Sequence, residues 1–245
     1  MSQTLNIYVW EHVNVDDSDI DDAIDAVEDL AEQVDYDFNI NGGTEPYEGV
    51  SDHSDIFDLL DSFAKHVKDN FPRDPIPTDI HLLIFHSYGD LPIIDGLNAG
   101  AARGAVGKGW GADDFDNEGA IATANVNSSV MGSYLYDSGT QTFKNTVIHE
   151  VFHTLVWYQT DHYSAPAEDC SDYSHGNWDH SMGGITSFDE VTPMRTWYTG
   201  QTDYGDNPAP CDSCYDNGSP DEVTPDLTFC ATSEANEHKD EVDFY

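Results

Sequence analysis

TQTFKNTVIHEVFHTLVWY, residues 140–158, is the stretch on which the reading of this chain turns. Phe143, Val147, Val151 and Leu155 recur at every fourth position, which predicts an amphipathic helix over about 140–158. His149 and His153 sit one turn apart on it, and side chains at i and i+4 share a face, so both imidazoles can converge on one point. Glu150 follows the first histidine, about 100° further round the helix. Neutral imidazoles are zinc ligands, and a carboxylate so placed reaches a water at the ion without ligating the ion itself. The spacing therefore predicts His149 and His153 as metal ligands. It gives Glu150 the role of a general base that takes a proton from an attacking water and passes it to a leaving amine.

The flanking sequence sets this helix in an α/β chain. Leu5, Ile7 and Val9 alternate with Asn6 and Tyr8, a strand over residues 4–10. From Asp19 to Val34, Ile20, Ile24, Val27, Leu30, Ala31 and Val34 keep a helical spacing with acidic residues opposite. Tyr36, Phe38 and Ile40 alternate again before Asn41-Gly42-Gly43, and a second helix over about 54–70 carries Ile56, Leu60, Phe63 and Val67 up to Phe71-Pro72. Residues 80–85, IHLLIF, form a nearly unbroken apolar run of the kind found in strands buried on both faces. Glycine is then dense from Gly96 to Gly111, where Ala105–Trp110 is expected as a short edge strand, and Gly119–Val126 is a further strand. Past Tyr158 no periodicity persists. One domain is expected, with an α/β subdomain over 1–158 and an irregular, loop-rich C-terminal subdomain over 159–245.

This order of strands and helices, ending in an HExxH helix, resembles the N-terminal subdomain of metzincin-type zinc peptidases over residues 4–158. The resemblance implies an α/β fold with a twisted mixed sheet of about five strands, a zinc endopeptidase activity, and a peptide or protein substrate laid as an added strand along the 105–110 edge. The family pattern HExxHxxGxxH is not complete here: Val156 stands at the glycine and Gln159 at the third histidine. Candidates for the third ligand are His180, His162, His175 and Asp161. His180 is preferred because Asp179-His180-Ser181-Met182 leads to Val191-Thr192-Pro193-Met194, similar to a ligand followed by the family's methionine turn. With His162 as ligand, Met182 would take the place of that turn. A thermolysin-like arrangement would instead use Glu168 or Glu190. Outside the enzymes, the alternative is a non-catalytic, metal-stabilised binding or surface protein.

Charge bounds the partners. Asp and Glu number 48 against 8 Lys and Arg, a formal net charge of -40 spread along the whole chain. Such self-repulsion disfavours a compact state at low salt, whereas at 1 M salt the screening length is only about 3 Å. The composition is that expected of a halophile's protein, with a carboxylate-coated surface. Nucleic acid and anionic membrane surfaces are excluded, since both need clustered Lys and Arg. Asp113, Asp114, Asp116 and Glu118 form an acidic loop that is a candidate for Ca2+, with a solvated loop the plainer reading. Cys170, Cys211, Cys214 and Cys230 all fall in the last third and suggest one or two disulfides, which favours an extracellular over a cytoplasmic location. A monomer is expected.

Overall fold

The computed structural model describes residues 4–42, 46–49, 56–86, 100–104, 106–107, 120–127, 139–156, 190–194 and 222–241. Strand β1 (Thr4–Glu11), helix α1 (Asp17–Ala31), β2 (Asp37–Gly42), α2 (Ile56–Asn70), β3 (Asp79–Phe85), β4 (Gly100–Arg103), β5 (Ala120–Asn125) and α3 (Gly139–Leu155) follow in chain order. The short strands β6 (Glu190–Val191) and β7 (Glu222–Val223) and the helix α4 (Phe229–Glu241) complete the described elements.

A five-stranded mixed sheet, in the order β2-β1-β3-β5-β4, is the centre of the fold. β1 runs parallel to β2 and β3, β3 parallel to β5, and β4 antiparallel to β5 at the edge. Every residue of β3 and β5 is buried, as the apolar run at 80–85 predicts for a strand covered on both faces. Alternation along β1 divides the core in two. Leu5, Ile7 and Val9 pack with α1, α3 and α4, while Trp10 packs with α2 through Leu60, Phe63 and Val67. Helices on both faces of a largely parallel sheet give a three-layer α/β arrangement.

Two local devices bear on the site. The chain leaves β4 through Gly104 (φ 71) and Gly107 (φ 84), left-handed conformations that glycine adopts without strain. Val106 N–H donates to the Thr154 carbonyl at 2.9 Å, tying that turn to the end of α3. Among the described residues the edge strand is Gly100–Arg103; of the strand expected over Ala105–Trp110, Val106 and Gly107 form a turn and the remainder lies outside the described residues. The C-terminal part, expected to be loops, contains α4. Thr228 caps it by accepting from Ala231 N–H at 3.2 Å, and Ala231 and Ala235 enter the core one turn apart. Among the described residues no helix is long and apolar enough to cross a membrane.

Candidate metal centre

α3 lies against β5 and β4, burying Phe143, Val147, Ile148, Val151, Phe152 and Leu155. That leaves His149 and His153 half-buried on an adjoining face, as their spacing predicts. Their Nε2 atoms stand 2.9 Å apart, with ring planes at 85°. His149 Nδ1 lies 2.7 Å from the Pro193 carbonyl oxygen. A carbonyl cannot donate, so Nδ1 carries the proton and Nε2 presents its lone pair. Orienting a ligand histidine through its other nitrogen in this way fixes both tautomer and ring.

Glu150, only 6% exposed, lies against the sheet edge. A Cβ on Gly100 would come within 2.6 Å of Glu150 Cγ, 2.7 Å of its Oε1 and 2.5 Å of the Thr123 carbonyl oxygen. The backbone of β4 and the Glu150 side chain thus share a space that only glycine leaves open. One ligating atom from each of His149, Glu150 and His153 lies within 4.8 Å of the others.

The donor set fits zinc. Two nitrogens bound to one ion at about 2.0–2.1 Å in tetrahedral geometry stand about 3.3 Å apart, close to the spacing seen. Among the described residues no other His, Cys, Asp or Glu joins the group, Glu190 in β6 included. His180, His162, His175, Asp161 and Glu168 lie outside the described residues, as do the acidic loop at 113–118, Cys170, Cys211, Cys214 and the side chain of Cys230.

Val191-Thr192-Pro193-Met194, picked out in the sequence as similar to a methionine turn, does approach α3. Met194 is fully buried in the core that includes Phe152, and Pro193 supplies the carbonyl that holds His149. The sequence does not single out that carbonyl, Asn145 or Gly100. Asn145, one turn before His149 on α3, donates to the Thr224 carbonyl at 2.8 Å and accepts from Gln141 Nε2 at 3.2 Å. No short motif encodes contacts across 44 or 79 residues.

No family model and no curated protein matches the chain. Solved structures similar to it include metalloproteinase-II from Bacteroides fragilis, at 16% identity and a TM-score of 0.40 over 62% of this chain and 42% of that one. A zinc-dependent peptidase from Methanocorpusculum labreanum aligns at 13% identity and a TM-score of 0.36, over 64% of this chain and 84% of that one. The chain thus spans less than half the length of the first. These superpositions are too loose to carry weight, and the site stands on its own side chains.

Proposed function

We propose that this chain is a zinc-dependent peptidase in which His149 and His153 bind the ion through Nε2 and Glu150 is the general base. The observation that carries this reading is the pair of Nε2 atoms 2.9 Å apart, that of His149 left with its lone pair because Nδ1 donates to the Pro193 carbonyl, beside a buried carboxylate. Zinc, when bound, supplies Lewis acidity toward a water and toward a substrate carbonyl. Glu150 accepts the proton of the attacking water and returns it to the leaving nitrogen, and its burial against β4 holds the carboxylate in one place between the two transfers. His180 is the third ligand preferred by the sequence, with His162 the alternate and His175 and Asp161 behind them. The substrate is a peptide or protein chain, and β4, at the edge of the sheet, offers it backbone hydrogen-bonding groups.

Glu150→Gln tests this directly. The variant is expected to retain zinc and to lose peptide turnover by at least about a hundredfold, the ordinary scale of a general base. Turnover at the wild-type rate would overturn the assignment of Glu150. A wild-type chain that binds zinc but cleaves no casein or peptide in concentrated salt would favour the non-catalytic, metal-stabilised protein.

A further inference from the structure

We propose that Asn145 is a positioning residue for the metal centre, acting on His149 through β7, β6 and the Pro193 carbonyl. The proposal rests on the reading of His149 and His153 as zinc ligands. Gln141, Asn145, His149 and His153 follow one another at intervals of four along α3 and form one row on it. The row meets the C-terminal segment at two points. Asn145 Nδ2 donates to the Thr224 carbonyl, and His149 Nδ1 donates to the Pro193 carbonyl. Between these points runs a parallel pairing of two residues a side, Glu190 with Glu222 and Val191 with Val223. A ladder that short has little stability of its own.

The circuit is closed. α3 holds β7 at Thr224, β7 pairs with β6, β6 runs through buried Thr192 to Pro193, and Pro193 returns to α3 at His149. Asn145 and Thr224 are both buried, so their hydrogen bond is shielded from water, and Gln141 orients the amide that makes it. Removing the Asn145 donor leaves β7 without that hold on α3 and lets the β6–Pro193 segment shift. The carbonyl that fixes the His149 ring then loses its register, although no ligand has been touched.

The test is zinc affinity of the full chain in concentrated salt, measured by competition with a chelator. Asn145→Leu keeps the branched shape of the side chain and removes the donor. It is expected to bind zinc 10- to 100-fold more weakly, the range seen when groups that orient ligands are lost. A packing role alone would lower the melting temperature of the apo and zinc-loaded forms equally, leaving the affinity unchanged. Wild-type affinity in a folded Asn145→Leu chain therefore overturns the proposal. Should that variant fail to fold, Gln141→Leu, on the less buried side of the row, is expected to weaken zinc several-fold, and an unchanged affinity there overturns it equally. A wild-type chain that binds no zinc overturns the reading beneath, which distinguishes the two failures.

Discussion

His149 and His81 show how one residue type is put to opposite uses. His149 is half-buried, its ring fixed by one carbonyl and its other nitrogen turned to a partner imidazole. His81, in β3, is fully buried on the α2 side of the sheet, accepts from Trp10 Nε1 at 3.0 Å through Nδ1, and stacks on Tyr8. Burial pushes its pKa down to about 3; the nearby Asp79 charge opposes that shift and Arg73 adds to it. In the unfolded chain the same group titrates near about 6.5. Between those values the unfolded state binds a proton that the folded state refuses, so stability falls as pH drops through the window and is unaffected above it. The slope from this one residue is about 1.4 kcal/mol per pH unit. Urea unfolding at pH 7 and pH 5 should therefore show the wild type losing about 2 kcal/mol more than His81→Gln over that interval. Equal losses in the two proteins would mean that His81 is not held neutral by burial.

The elements that a period announces are the ones the sequence reveals. β1, α1, α2 and α3 appear where alternation or helical spacing places them and β3 where an unbroken apolar run does, because each buries apolar side chains that the pattern spells out. α4 escapes for a physical reason: its core contacts are Ala231 and Ala235, too small to mark a stripe, and its other residues are mostly polar. Thr228, an N-cap residue type ahead of a stretch without Gly or Pro, is the signal that would have found it. β4, at Gly100–Arg103, is not announced by the sequence, because its Gly-Ala-Ala-Arg run carries no apolar alternation. The candidate metal site divides the same way. His149, Glu150 and His153 are legible since one helical turn brings them together. Their support is not legible, because Pro193, Gly100 and Thr224 arrive from distant segments and contribute backbone rather than side-chain chemistry.

At the scale of the whole molecule, four cations among the described residues stand at joints between segments. Arg103 on β4 pairs with Asp61 on α2, Lys144 on α3 with Asp25 and Asp22 on α1, and Lys239 on α4 with Asp35 at the α1–β2 turn. Arg73 grips the fully buried Asp79 at 2.6 and 2.8 Å where the chain enters β3. Pairs that are partly open to solvent contribute at most about 1 kcal/mol each, and salt weakens them. Salt also screens the repulsion of a net charge of -40, which is far the larger effect. The unfolding midpoint is therefore expected to rise by on the order of 5–10 °C between 0.1 and 2 M KCl. A flat or falling midpoint in calorimetry would show that the cross-element pairs outweigh the repulsion.

The convergence of His149 and His153 on a single ion is tested most directly by X-ray absorption at the zinc edge of the wild-type chain. The expected spectrum is that of one zinc per chain with imidazole nitrogens at about 2.0–2.1 Å. A chain that takes up no zinc, or an ion surrounded by oxygen or sulfur without imidazole, would contradict it.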